Sequence, residues 1–132
     1  MKFRNQEHKD RFYALLGQMT CQDDYHKSAA YLMTLDDVLN KHVSEIYDFD
    51  ERIINSEKIG EGWQTDTSVK TFRLMTNLWN NRSVDYGDKS LKSSSCYAIA
   101  EIFDSEYAPF YWEAIKLRFP WINDIGEGIT DD

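Results

Sequence analysis

The stretch SEYAPFYWEAIKLRFPW, residues 105–121, combines six aromatic side chains with four charged ones. A helix over Pro109–Arg118 can begin at its proline, because the first turn does not need that N–H, and it ends before Pro120, which disfavours helical geometry in the preceding residue. This helix would be apolar on most of its circumference, and such a helix is surrounded by other elements. We therefore expect it at the centre of the fold, with Trp112 and Ile115 buried.

Five further stretches show apolar residues at helical spacing. The predicted helices cover residues 6–19, 23–33, 34–46, 67–79 and 91–103. No stretch shows the alternation typical of a strand, and residues 47–64 are predicted to form a long connection. The fold class is therefore all-α, a compact single-domain bundle of about six helices (residues 1–123) around a buried C-terminal helix. Residues 124–132, with four acids and two glycines, are expected to form a flexible acidic tail.

The net charge of −8 is concentrated in residues 21–57, which carry nine acids against three bases. An acidic protein repels nucleic acid and is attracted to basic surfaces, so the charge argues against direct nucleic-acid binding and for a basic protein partner. No apolar run approaches the ~20 residues that a membrane span needs. We therefore expect a cytoplasmic protein that does not contact membranes. Cys21 and Cys96 lack a paired spacing, which is typical of reduced thiols.

Several segments carry a resemblance to a known family. They are EHKDRF with YALL (7–16), DDYHKSAAYLMTL (23–35), NKH (40–42), YDFD (47–50), WQTDTSVKTFRLMTNLWN (63–80) and FDSEYAPFYWEAIKLRFP (103–120). In these segments the chain resembles a family of small uncharacterised proteins, a domain of unknown function found in Firmicutes and in their phages and conjugative elements. The resemblance implies a helical fold and a mobile-element context, and it assigns no catalytic residue.

One group of side chains has the chemistry of a metal site. Thiolate and imidazole are ligands that zinc prefers, and three or four ligands must converge on the ion. The candidate ligands are Cys21, Asp24, His26 and His42, with His8 as a further candidate. A short turn at residues 33–35 would fold the helix carrying His42 back beside the others. The alternative is that these are ordinary polar residues, and the apolar face on which His42 falls favours a core histidine bonded to a carbonyl.

The acidic middle of the chain is the other candidate site, and we name it the acidic segment. Its members are Asp36, Asp37, Glu45, Asp48, Asp50, Glu51 and Glu57. Such a run is either a solvated surface or a set of carboxylates that imitates DNA phosphates to a nuclease.

The sequence contains no GxSxG, Walker, HExxH or CxxC pattern, and its periodicity places Cys96 on a buried face as an inert thiol. The first hypothesis is therefore a non-enzymatic protein-binding module of a phage or mobile element. It would be an acidic inhibitor of a host defence nuclease of the CRISPR or restriction type. The alternative is a small metal-binding protein or metal-dependent hydrolase built on Cys21, His26 and His42, with zinc as the ion.

Overall fold

The computed structural model describes residues 1–88, 91–123, 128, 129 and 131 of the 132-residue chain. It confirms the all-α class, because the described residues form eight α-helices, two short 3-10 helices and one two-stranded hairpin. The helices are α1 (Gln6–Gln18), α2 (Asp24–Leu35), α3 (Asp37–Lys41), α4 (Val43–Ile46), α5 (Asp66–Asn80), α6 (Leu91–Ser95), α7 (Ile99–Ile102) and α8 (Ala108–Arg118). The strands are β1 (Tyr47–Asp48) and β2 (Ile53–Ile54), and the 3-10 helices are Ser56–Lys58 and Pro120–Asn123.

Side-chain caps set the start of the three longest helices. Asn5 accepts a hydrogen bond from the backbone N–H of His8 at 2.8 Å, and Asp23 accepts one from that of His26 at 2.8 Å. Thr65 caps α5 in the same way. Such a cap stabilises its helix by about 1 kcal/mol. The predicted starts of the first two helices are confirmed, and α5 begins slightly earlier than predicted.

Helix α2 lies at the centre of the core. It packs against α1, α5 and α8. Its fully buried apolar residues include Ala30, Tyr31, Leu32, Met33 and Leu35. Its buried hydroxyls are satisfied as well, since Ser28 donates to the carbonyl oxygen of Ala114 at 2.9 Å and Thr34 donates to that of Ala30 at 2.7 Å. A buried hydroxyl without such a partner would destabilise the fold.

The prediction that α8 is the buried centre is wrong. Tyr111 and Ala114 are the buried residues of this helix, whereas Trp112 is 47% exposed and Ile115 is partly buried. The helix packs against α2 along the face of Ala114, whose carbonyl oxygen the Ser28 hydroxyl reaches. One packed face cannot cover a helix that is apolar all round, so the other apolar side chains of α8 remain partly exposed.

The predicted helix over residues 34–46 is divided between the end of α2, α3 and α4. Asp36 makes the first break because its carboxylate caps α3, accepting hydrogen bonds from the Leu39 N–H at 2.9 Å and from the Ser68 hydroxyl at 2.7 Å. His42 makes the second, since its φ of −117° and ψ of 21° lie outside the helical region. The long helix predicted there does not form.

The predicted connection at residues 47–64 contains a small hairpin that the sequence pattern did not indicate. Its strands pair in antiparallel register, Tyr47 with Ile54 and Asp48 with Ile53. The Asp48 carboxylate closes the turn by accepting hydrogen bonds from the backbone N–H groups of Asp50 and Glu51, both at 2.9 Å. One residue of each strand is buried, and this attaches the hairpin to the core.

The predicted helix over residues 91–103 is also interrupted, because a turn separates α6 from α7. Ile102 is buried as expected, but Ile99 is 76% exposed. Cys96 lies in the turn and is partly exposed. The prediction of a buried Cys96 is therefore wrong.

The predicted acidic tail, residues 124–132, lies largely outside the described residues. Residues 128, 129 and 131 are described and have no regular secondary structure. None of the helices in the described part of the chain has the length and apolar character needed to cross a membrane.

Candidate functional site

A thiol, a carboxylate and an imidazole converge at the N-terminus of α2. Cys21 precedes the helix, Asp23 is its N-cap and His26 lies in its first turn. Cys21 Sγ lies 3.2 Å from Asp23 Oδ2, and His26 Nδ1 lies 2.8 Å from Asp23 Oδ1. One ligand atom of each residue lies within 4.8 Å of those of the other two. We name this group the Cys21 cluster.

The imidazole is the buried member of the Cys21 cluster. His26 is 4% exposed and lies edge-on to the Trp79 ring at 4.9 Å. Its Nε2 lies 2.9 Å from the hydroxyl of Tyr47. Burial raises the pKa of that hydroxyl, and the nearby Cys21 and Asp23 raise it further. Tyr47 therefore keeps its proton at neutral pH and holds the far side of the imidazole.

The carboxylate of the cluster is ionised and reachable from solvent. Burial alone would raise the pKa of Asp23, but hydrogen bonds from His26 and Cys21 outweigh that influence and lower the pKa below its ordinary value. The Asp23 side chain is 48% exposed and Cys21 is partly exposed. A small solute can thus reach two of the three groups.

The structure brings together two of the predicted metal ligands, Cys21 and His26, and adds Asp23 where the sequence suggested Asp24. Asp24 is the first residue of α2 and is partly exposed. The N-cap geometry of Asp23, in contrast, turns its carboxylate back toward His26.

The other two histidines have partners elsewhere. His42 bonds through Nδ1 to the Glu45 carboxylate, and its ring stacks on Trp63 at 3.8 Å with an interplanar angle of 13°. Its contacts are thus to a carboxylate and an indole, where the sequence favoured a backbone carbonyl. His8 is buried in the core and bonds the backbone of Arg4 and Tyr31. Neither belongs to the Cys21 cluster.

Three of the seven members of the acidic segment, Asp36, Asp37 and Glu45, precede the hairpin and form internal contacts. Asp36 is 4% exposed and serves as a cap. Asp37 accepts hydrogen bonds from Arg11 at 2.7 Å and from Arg4 at 3.1 Å. These guanidinium groups, Arg11 foremost, hold the pKa of Asp37 below its ordinary value. Glu45 pairs with His42.

The remaining acids of the segment lie on the hairpin and just after it. Asp48 is used by the turn, as described above. Asp50, Glu51 and Glu57 are exposed, and their carboxylates form no ion pair with any described residue. Within the segment, the carboxylates without a hydrogen-bond or ion-pair partner among the described residues are therefore those of Asp50, Glu51 and Glu57.

An apolar groove opens between α5, α7 and α8, and we name it the α7–α8 groove. It has a volume of about 340 Å³. Its lining includes Leu74, Ile99, Phe103, Trp112, Ile115 and Phe119. Trp112 and Ile99 are the exposed members, so the groove presents an indole and an aliphatic side chain to solvent. Arrangements of this kind bind apolar side chains.

Three acidic residues lie close in the sequence to the residues of α7 that line the groove. Glu101 lies within α7, and Asp104 and Glu106 lie in the turn between α7 and α8. All three are exposed, and their carboxylates form no ion pair within the described ranges. These acids thus neighbour the lining residues Ile99 and Phe103 in the sequence, and the ammonium of Lys70, which donates to the carbonyl oxygen of Asp104, lies in the same region.

Sequence reasoning missed the groove because it assigned its lining residues to the core. The available signal was the surplus of large apolar residues on every side of α8, more than one packed face can cover.

A comparison with known families finds a match that spans most of the chain. A family of unknown function matches residues 1–127. The chain belongs to this family, DUF6075. Both the Cys21 cluster and the α7–α8 groove lie within the part of the chain that matches DUF6075. No curated protein and no solved structure matches the chain.

Proposed function

We propose that this chain is a non-enzymatic protein-binding module that engages a basic partner through the α7–α8 groove. The observation that carries the proposal is an apolar groove whose lining residues on and after α7 are neighboured in the sequence by the exposed acids Glu101, Asp104 and Glu106. The occupant we propose is an amphipathic segment of the partner, with apolar anchor residues flanked by lysine or arginine. Helical segments of this type bind apolar grooves through a few anchors.

The apolar part supplies the affinity. Trp112 is 47% exposed and Ile99 is 76% exposed, although both lie beside other apolar side chains. Covering them with a partner removes apolar surface from water. Tryptophan is also enriched among the residues whose truncation weakens protein interfaces most.

The charge supplies the selectivity for a basic partner. The chain carries −8 overall, and Glu101, Asp104 and Glu106 lie beside or near the lining residues of the groove. Complementary charge accelerates encounter and discriminates against acidic partners, and salt screens both effects. Asp50, Glu51 and Glu57 add negative charge elsewhere on the surface.

A labelled amphipathic helical peptide of leucine and lysine tests this proposal, with a leucine and glutamate peptide of the same pattern as the charge control. We expect the basic peptide to bind in fluorescence anisotropy, with an affinity that falls as salt rises, and the acidic peptide not to bind. Trp112→Ala should weaken binding by about tenfold or more. Tyr13→Ala, which truncates an equally exposed aromatic residue on α1, should bind as the parent does. Equal binding of both peptides, or an unaffected Trp112→Ala variant, would contradict the proposal.

The finer form of the proposal is that the partner is a nucleic-acid-binding nuclease of a host defence system, and that the chain is a mobile-element inhibitor acting in the cytoplasm. The net acidity supports it, because nucleases bind phosphates with basic surfaces. Expression of the chain should then relieve CRISPR or restriction interference in a plaque assay. The Trp112→Ala variant should lose this effect. Full interference in the presence of the wild-type chain would contradict the inhibitor role but not peptide binding.

The geometry favours this module over a hydrolase built on Cys21, His26 and His42. Such a hydrolase would use the three side chains together, and His42 lies against Trp63 and Glu45 instead.

A further inference from the structure

We propose that Cys21, Asp23 and His26 form a binding site for a transition-metal ion of the zinc class. This site is independent of the α7–α8 groove and of the proposed function. It differs from the ligand set suggested by the sequence, because Asp23 supplies the carboxylate and His42 takes no part.

Three different ligand atoms converge without any change in the backbone. Cys21 Sγ and His26 Nδ1 each lie against an oxygen of the same Asp23 carboxylate, at 3.2 and 2.8 Å, and all three groups fall within 4.8 Å of one another. Zinc binds at about 2.0–2.3 Å from each ligand atom. Ligand atoms bound to one such ion are therefore separated by roughly 3–4 Å. The spacing in this cluster already suits a shared ion after small side-chain rotations.

The imidazole of His26 is held through the ring nitrogen that would face away from the ion, as is usual for a histidine that binds a metal. His26 is buried, and its second nitrogen, Nε2, lies 2.9 Å from the Tyr47 hydroxyl. A metal-bound histidine nearly always donates its other ring N–H to an oxygen atom, which fixes the ring and its tautomer. The Tyr47 hydroxyl oxygen is placed to accept that hydrogen. An ordinary helix cap requires no such contact, so this observation is separate from the position of Asp23 at the end of the helix.

The protons balance in a simple way. Without an ion, the thiol and the Nδ1–H of the neutral imidazole both donate to Asp23, since a carboxylate can only accept. When the ion binds, bonds form from it to sulfur, carboxylate oxygen and Nδ1. The thiol proton leaves to solvent, and the ring proton moves from Nδ1 to Nε2, where Tyr47 accepts it. Binding to the neutral ring therefore releases one proton per ion.

The ligand set selects the class of ion. A thiolate and an imidazole favour zinc and similar ions over magnesium or calcium, which prefer oxygen ligands. Asp23 and Cys21 reach the surface, so an ion can enter from solvent and can complete its coordination with water. Three protein ligands and one open position are the arrangement found in zinc sites that bind a further small ligand.

Titration with cobalt(II) tests the site, because a thiolate bound to cobalt gives a charge-transfer absorption band in the near ultraviolet. We expect the band to saturate at one ion per chain and to disappear when zinc is added. Cys21→Ser should abolish the band. Asp23→Asn preserves a good N-cap but removes the anionic ligand, and it should weaken cobalt binding at least tenfold. Tyr47→Phe should weaken it by about 10–100-fold, as loss of the group behind a metal-bound histidine does.

Two matched variants serve as controls. Cys96→Ser removes the other partly exposed thiol, and His42→Gln removes a partly exposed histidine outside the cluster. Both should bind cobalt as the parent does. Circular dichroism of each variant establishes that it is folded before titration. Absence of a saturable band in the parent protein, a band that survives Cys21→Ser, or a band that is lost in Cys96→Ser would overturn the proposal.

Discussion

His8 donates the hydrogen on its Nε2 to the carbonyl oxygen of Tyr31 at 3.0 Å, although the histidine is 1% exposed. Its other nitrogen, Nδ1, accepts a hydrogen bond from the backbone N–H of Arg4 at 3.1 Å. Because Nδ1 accepts, it carries no hydrogen, and the buried ring is neutral. Burial is the largest influence on the pKa of His8 and lowers it. The charges of Arg4 and Arg11 lower it further, against the hydrogen bond to Tyr31.

Acid should therefore destabilise the fold through His8. Its folded-state pKa lies below the ordinary value of 6.5, so the unfolded chain takes up the proton more readily. The stability contributed by the neutral ring is complete above that ordinary value and is lost as the pH falls through the lower, folded value. Urea unfolding at a series of pH values should show this loss, and His8→Gln should reduce it. An unchanged slope in His8→Gln would contradict the assignment.

Two acids of the acidic segment should differ sharply in their effect on stability. Asp36→Ala leaves the Leu39 N–H and the Ser68 hydroxyl without their buried acceptor, and it should cost about 1–3 kcal/mol in the free energy of unfolding. Asp50→Ala changes an exposed residue and should stay within about 0.5 kcal/mol. Chemical denaturation measures both values. Equal losses would show that Asp36 is not the structural acid of the segment.

The central position of α2 gives a third prediction. Leu32 is fully buried, so Leu32→Ala should cost about 2–5 kcal/mol through lost contacts and a residual cavity. Ile99, on α7, is 76% exposed, so Ile99→Ala should change the free energy of unfolding by about 0.5 kcal/mol or less. Urea denaturation of the two variants compares them directly. A larger loss for Ile99→Ala would mean that α7 packs differently.

A forked ion pair holds the segment after α5. Arg73 donates to both carboxylate oxygens of Asp85, at 3.1 and 2.9 Å, and the Tyr97 hydroxyl donates to the same carboxylate at 2.9 Å. Lysine has a single ammonium group and cannot form this bidentate contact with the carboxylate. Arg73→Lys should therefore speed limited proteolysis within residues 82–97, and Tyr97→Phe, which removes one hydrogen bond, should have a smaller effect. Unchanged cleavage in Arg73→Lys would contradict this role of the pair.

Local signals in the sequence predicted where α1 and α2 begin, but not the breaks within residues 34–46 and 91–103. Asn5 and Asp23 were recognisable as caps because a capping side chain bonds a backbone N–H only three residues further along the chain. Such a short-range contact can be inferred from the local sequence. The position of the core depends on distant contacts. Ser28 and Thr34 are polar residues, and the structure shows that their hydroxyls are satisfied by carbonyl oxygens inside the core. The burial of α8 was overestimated. Its apolar residues lie on all sides of the helix, so the sequence gave no indication of which face would pack against the core.

For the candidate site, too, the short-range features were predictable from the sequence and the long-range ones were not. The sequence could place Cys21 and His26 near one helix start, and the structure brings them together. Which neighbouring aspartate would join them depended on which one became the cap, and Asp23 did. The position of His42 depended on the break in the chain between α3 and α4, which the periodicity of the segment does not reveal.

Because α1, α5 and α8 all pack against α2, none of them can detach without exposing the same central helix to water. Partial opening at that helix should therefore cost nearly as much free energy as complete unfolding. The backbone amides of α2 would then exchange their hydrogens with solvent only when the whole domain unfolds, whereas the short helices α6 and α7 can open separately. We therefore expect slow, global exchange in the interior and faster, local exchange in the groove wall that α7 helps to form.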